Sequence, residues 1–119
     1  LETGLLVTPE RIANASFLAM EAGADFIKTS TGKVDVNATP MAAVVMCECI
    51  KHYYEKTGRK VGFKAAGGIS TAADALSYYC IVSSVLGNEW LDKKYFRFGV
   101  SRLGNSLMSA IEQKTVKYF

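Results

Sequence analysis

Two lysines stand where an amine could do chemistry. Lys28 ends the apolar run Ala24-Asp25-Phe26-Ile27, and Lys64 ends the run Val61-Gly62-Phe63. Each opens at once into a small-residue loop containing glycine, Thr29-Ser30-Thr31-Gly32-Lys33 after the first and Ala65-Ala66-Gly67-Gly68 after the second. In α/β proteins the ligand sits at the C-terminal ends of the strands. Neighbouring parallel strands lie about 4.8 Å apart, so lysines at matched strand ends bring two amines within several Å of each other. Two ammonium groups at that distance disfavour each other's charge, and an apolar surround acts in the same direction. One of the two is therefore expected to carry a free amine near neutral pH, which can attack a carbonyl and form a Schiff base. The bland alternative is a lysine that only snorkels at the rim of a sheet. Two such lysines in register, each followed by a glycine loop, favour the chemical reading.

The loops suggest what binds beside the amines. Gly67-Gly68 and Gly99-Val100-Ser101 precede helix starts, where backbone N–H groups and a helix N-terminus form an anion site. In (β/α)₈ barrels a phosphate often sits in the loops after the last two strands. The alternative is that these glycines only make tight turns. Thr31-Gly32-Lys33 has the look of a Walker A ending but fails as one: Val34 stands where Ser or Thr is needed, and no upstream glycine has the required spacing. Cys47-x-Cys49-x-x-His52 is not a metal motif either. Residues two apart on a helix face different sides, so the cysteines do not converge, and His52 is expected to face outward.

These groups need elements to hold them. Thr8-Pro9-Glu10 is an N-cap followed by proline at the first helical position, predicting a helix to about Glu21 with Gly23 at its C-terminal end. A strand from Asp25 to Lys28 follows. Thr39-Pro40 repeats the start signal for a helix to about Lys56, closed by Gly58, and a strand from Lys60 to Lys64 comes next. Thr71-x-x-Asp74 is a capping box with Asp in place of Glu, predicting a helix to about Leu86, closed by Gly87. After a turn near Asn88 to Lys94 come a strand from Tyr95 to Phe98 and a last helix that opens at Gly99-Val100-Ser101. That helix carries Leu103, Leu107, Met108 and Ile111 at helical spacing.

The strand–loop–helix unit thus recurs at intervals of roughly 35 residues, which means βα units and a parallel sheet. Leu1 to Leu6 reads as the end of an earlier strand. Three units and a stub are few for a free-standing doubly wound sheet. A (β/α)₈ barrel has about 31 residues per unit. The expected fold class is therefore α/β, a partial TIM barrel made of about the last three βα units plus the end of a preceding strand, with residues 1–119 as one domain.

Composition narrows the function. The chain has 119 residues, half of them apolar, and a net charge of +3. That charge is too mild and too scattered to argue for nucleic acid. No apolar run can span a bilayer, and the start lacks the basic region of a signal peptide. It also lacks an initiator Met, as a fragment would. Three cysteines without framework spacing predict a reduced, cytoplasmic protein.

At four segments the chain closely resembles the deoxyribose-phosphate aldolases. They are Ala24 to Lys33, Val36-Asn37-Ala38-Thr39, Val61 to Ile69, and Phe96-Arg97-Phe98-Gly99-Val100-Ser101. The likeness runs from Glu2-Thr3-Gly4 to about Ile111. It implies a class I aldolase, without metal or cofactor, that interconverts 2-deoxyribose 5-phosphate with acetaldehyde and glyceraldehyde 3-phosphate. It implies Lys28 as the Schiff-base lysine and Lys64 as the second active-site lysine. It places Gly32, Lys33, Gly67, Gly68, Gly99 and Ser101 around the substrate phosphate. The chain departs from the family at Ala65, where proline is usual, at Ser70, where Arg is frequent, and at Arg102, where a small or hydroxyl residue is usual. Arg102 is a candidate for the cation that Ser70 does not supply. Tyr118 is penultimate in a short tail and is given no role.

The family's acid lies on an earlier strand, outside this sequence, and neither Asp25 nor Asp35 is an obvious substitute. The chain thus reads as the C-terminal half of the aldolase. Its partners are expected to be a phosphosugar and either further copies of itself or the missing N-terminal half, with no nucleic acid and no membrane. The competing reading is an inert half-barrel that keeps its phosphate loops and turns over only when paired with that half.

Overall fold

The computed structural model describes residues 1–100 and 103–112. Its elements run in the order α1 (Thr3–Leu6), α2 (Pro9–Glu21), β1 (Phe26–Lys28), α3 (Pro40–Thr57), β2 (Gly62–Ala66), α4 (Ala72–Val85), a 3₁₀ turn (Asn88–Trp90), β3 (Phe96–Gly99) and α5 (Leu103–Glu112). The three strands form one parallel sheet in sequence order, β1-β2-β3.

Local chemistry sets the helix starts as expected. The Thr8 and Thr39 hydroxyls accept from the backbone N–H groups of Arg11 (3.3 Å) and Ala42 (3.1 Å), with Pro9 and Pro40 as the first helical residues. Thr71 and Asp74 form a reciprocal capping box: the Asp74 N–H donates to Thr71 Oγ1 (3.1 Å), and the Thr71 N–H donates to Asp74 Oδ2 (3.3 Å). α3 stops at Gly58, whose φ of 73° a glycine adopts without strain.

The core lies between the helices and one face of the sheet. Ile27, Phe63 and Ala65 are buried there with Ile12, Met20, Met46 and Ile50. Side chains alternate across a strand. The other face therefore carries Phe26 and Lys28 from β1, Gly62, Lys64 and Ala66 from β2, and Arg97 and Gly99 from β3. No helix among the described residues is long and apolar enough to cross a membrane. His52 is exposed and meets the Phe17 ring edge-on, while Cys47 and Cys49 are both buried.

The structure corrects several expectations. Leu1 to Leu6 is not the end of a strand. The N–H groups of Leu1 and Thr3 do reach β1, donating to Lys28 O (2.8 Å) and Thr29 O (3.1 Å). The backbone then coils, because the Glu2 carbonyl accepts from both Leu5 and Leu6 (2.9 and 3.1 Å), which closes a helical turn. Lys64 does not end its strand either. The ladder continues to Ala66 because β3 pairs Ala65 with Phe98 and Ala66 with Gly99. The last helix is described only from Leu103, since Ser101 and Arg102 lie outside the described residues.

Candidate active site

The register of the first strand pair sets Lys28 opposite Lys64. Both side chains then lean toward β3. A Cβ placed on Gly99 would lie 3.0 Å from Lys64 Cε, 3.5 Å from Lys28 Cε and 2.8 Å from Ala66 Cβ. Both lysine stems thus pass over one point that the absent side chain of Gly99 leaves open. Neither lysine forms an ion pair among the described residues.

Arg97 is in register with Lys64 on the same face. It turns away: its Nε donates to Lys93 O (2.8 Å), and its guanidinium lies 4.5 Å from the centre of the Phe26 ring. Gly62 makes that contact feasible, because a Cβ there would sit 2.4 Å from the same ring.

Thr29 stitches the strand ends together. It is fully buried; its hydroxyl donates to Ala66 O (2.8 Å) and accepts from the Ala66 N–H (2.9 Å), and its own N–H donates to Lys64 O (3.2 Å). Beyond Ala66 the chain turns through Gly67 (φ 92°) and Gly68 (φ 77°), both in the left-handed region that favours glycine. The Ser70 N–H then donates to Asp74 Oδ2 (3.4 Å). The Thr71 hydroxyl first, and then the Ser70 and Thr71 N–H groups, hold the Asp74 carboxyl below its ordinary range. The helix cap and the shape of the glycine loop are therefore one feature.

These pieces enclose a cleft of ≈ 480 Å³. Lys28, Gly32, Gly67, Gly68 and Gly99 line it, as do Thr31, Ala66, Ile69, Ser70 and Val100. Of the residues singled out in the sequence, Lys33 is exposed and does not line the cleft, and Lys64 reaches its edge only through the crossing over Gly99. Ser101, Arg102 and Tyr118 lie outside the described residues.

Sequence reasoning assigns no task to Thr29, Asn37 or Glu2, yet all three shape the cleft. Glu2 Oε1 accepts from the Thr31 N–H (2.6 Å), while its Oε2 is buried without a partner among the described residues. Asn37 Nδ2 donates to Val34 O (2.9 Å), and Asn37 Oδ1 accepts from the Ser30 hydroxyl. Asn37 stands in the Val36-Asn37-Ala38-Thr39 segment that resembles the family, but its place before a helix cap gives no sign of its bonds to other loops.

Residues 2–84 match the family described as DeoC/LacD family aldolase. The human deoxyribose-phosphate aldolase is 49% identical over 114 residues, which are 96% of this chain and 35% of that protein. The mouse deoxyribose-phosphate aldolase is 50% identical over 114 residues, again 35% of its length. The chain therefore spans about a third of the curated relatives it matches. A crystal structure of a Toxoplasma gondii ME49 protein assigned as a deoxyribose-phosphate aldolase superposes with a TM-score of 0.77 over 94% of this chain and 44% of that one. Sequence identity is 24%, so this last likeness speaks for the fold.

Proposed function

Because the chain belongs to the DeoC/LacD family of aldolases, we propose that it carries the reacting end of a class I aldolase acting on 2-deoxyribose 5-phosphate. The observation that carries this reading is the pair of strand-end lysines in register, with both stems crossing over Gly99. In the proposed reaction Lys28 Nζ adds to the aldehyde carbon of the sugar, and water leaves to give an iminium ion. The hydroxyl at C3 loses its proton, the C2–C3 bond breaks, and its electron pair flows into the iminium to give an enamine. Glyceraldehyde 3-phosphate departs; the enamine takes a proton at carbon, and hydrolysis returns acetaldehyde and free Lys28. Lys64, beside it, moves the protons. No metal or cofactor enters this scheme.

The phosphate is assigned to the cleft rim formed by Gly32, Gly67, Gly68 and Gly99; Lys33, exposed in the loop beside it, and Ser101 are further candidates that rest on the family resemblance alone. The left-handed turn at Gly67-Gly68 directly before the capped start of α4 supports this assignment. As a fold, the three βα units are read as the C-terminal part of a (β/α)₈ barrel, in a reducing, cytoplasmic setting that suits the free cysteines.

A second reading is favoured by one observation: no carboxylate pairs with Lys28 or Lys64 among the described residues. Here the chain stays inert until other strands, or another chain, supply an acid. Borohydride reduction with acetaldehyde or deoxyribose 5-phosphate, followed by intact mass and peptide mapping, decides between the two. An adduct on Lys28 is expected from the aldolase reading. A folded sample that gives no adduct overturns it in favour of the inert one, and adding the missing strands then tests complementation.

A further inference from the structure

The loop after β1 and the glycine loop after β2 meet at one half-buried side chain, Asn37. Its amide is used at both ends. Nδ2 donates to Val34 O (2.9 Å), and Oδ1 accepts from Ser30 Oγ, which in turn accepts from the Gly32 N–H (3.0 Å). Ser30, at the middle of this chain of bonds, is 1% exposed, while Asn37 is half-buried and Gly32 lies at the surface. The backbone around Asn37 reaches the other elements. Thr3 Oγ1 donates to Asn37 O (3.4 Å), and the Ala38 N–H donates to Gly67 O (3.3 Å). The contact with Gly67 is close: a Cβ on Gly67 would lie 2.5 Å from Asn37 Cβ.

We infer that Asn37 is a positioning residue that locks the Gly32 loop and the Gly67-Gly68 loop into one rigid cradle for the phosphate of the substrate. The inference rests on the proposed aldolase reading for the identity of that phosphate. Two features of the chemistry single out asparagine. A side-chain amide donates and accepts from one planar group; aspartate loses the bond to Val34 O, and leucine loses both. The Gly32 N–H is spent inward on Ser30, so the loop's shape is set before any anion arrives. A cradle that is already ordered avoids the entropy cost of closing around its ligand.

The test compares Asn37→Ala and Asn37→Asp with the unaltered chain in two measurements. The first is the borohydride trapping rate against concentration, for acetaldehyde and for deoxyribose 5-phosphate. Loss of the clamp is expected to raise the half-saturating concentration of the phosphorylated sugar about tenfold in Asn37→Ala. Trapping with acetaldehyde, which carries no phosphate, stays within twofold, and Asn37→Asp falls between. An equal loss for both compounds, or for neither, overturns the inference, because a merely structural role moves them together. The second is an NMR titration with inorganic phosphate, following the Gly32, Gly67 and Gly68 amides. In the unaltered chain they are expected to shift together with one dissociation constant, and in Asn37→Ala to shift separately and more weakly. If the unaltered chain forms no adduct yet shows this Asn37-dependent coupling, the aldolase reading fails while the clamp stands. If phosphate moves neither loop, the clamp is overturned.

Discussion

The two ends of the sheet treat their cations in opposite ways. At the N-terminal end, Lys60 forms a 3.1 Å ion pair with Glu89, and its ammonium lies 5.3 Å from the Trp90 ring, 5.4 Å from Tyr95 and 5.7 Å from Tyr54. Next to it, Arg59 donates to the carbonyls of Met20, Gly23 and Ala24 and to Asp25 (2.9–3.3 Å). At the C-terminal end, Lys28 and Lys64 lie side by side with no ion pair among the described residues. A cation with a full set of partners fastens helix ends and strands together. A cation left without them, at the mouth of a cleft and beside a second one, is available to a substrate.

The largest effect expected from breaking this contrast comes from exchanging the roles of two lysines. Lys28→Met should abolish borohydride trapping with acetaldehyde entirely, whereas Lys60→Met should leave trapping unchanged and lower Tm. Trapping that survives Lys28→Met would place the nucleophile elsewhere.

Next is Trp90→Ala. Trp90 is 3% exposed and donates its indole N–H to Val61 O (2.9 Å). Removing it leaves a cavity, an unpaired carbonyl and an open side to the Lys60 cage, at a cost of about 3–5 kcal/mol. Denaturant unfolding measures this, while trapping per folded molecule should be unaffected.

Gly99→Val sharpens the contrast from the other end. The new side chain occupies the point that both lysine stems cross, and misplacing a reacting group by about 1 Å costs up to ~10²-fold. The trapping rate is expected to fall by about that factor; a rate within threefold of the unaltered chain would show that the stems have room to step aside.

The smallest effect is that of Asp74→Asn, read as Tm against pH. Hydrogen bonds depress the Asp74 carboxyl from its ordinary value of 3.8. Its contribution is therefore complete above that value and is lost as pH falls through the lower folded value. The unaltered chain should be the more stable at neutral pH, and its advantage should vanish in acid. An advantage that does not change with pH would mean that the carboxylate charge is not what caps the helix.

Much of the fold was legible because its signals are local. Thr8-Pro9, Thr39-Pro40 and Thr71-x-x-Asp74 act within one helical turn, so their structural outcome follows from neighbours in sequence. The three strands were legible as short apolar runs, but their ends were not. Ala65 and Ala66 extend β2 only because β3 lies alongside to pair with them. The stub at Leu1 to Leu6 was read as a strand end because it precedes a βα unit, and only the bonds to the Glu2 carbonyl make it coil. In the site, Lys28 and Lys64 were recognisable as a repeat. Lys33 was placed near the anion by the family resemblance alone; it is exposed and is not among the residues that line the cleft. Asn37 and Thr29 lie in segments that resemble the family, but their tasks were not legible because they consist of contacts to residues 37 positions away or across a loop.

The sequence by itself determined the repeating strand–loop–helix order, the helix starts, the parallel sheet and the two lysines at equivalent strand positions. The helix starts follow from patterns within about one helical turn, and the sheet and the paired lysines from the recurrence of the unit along the chain. Tertiary structure bore out the expected register of the two lysines and alone decided that both cross over Gly99 and that Asn37 meets both loops. Those facts depend on register and on close approach between segments about 35 residues apart, and only the paired sheet brings them together.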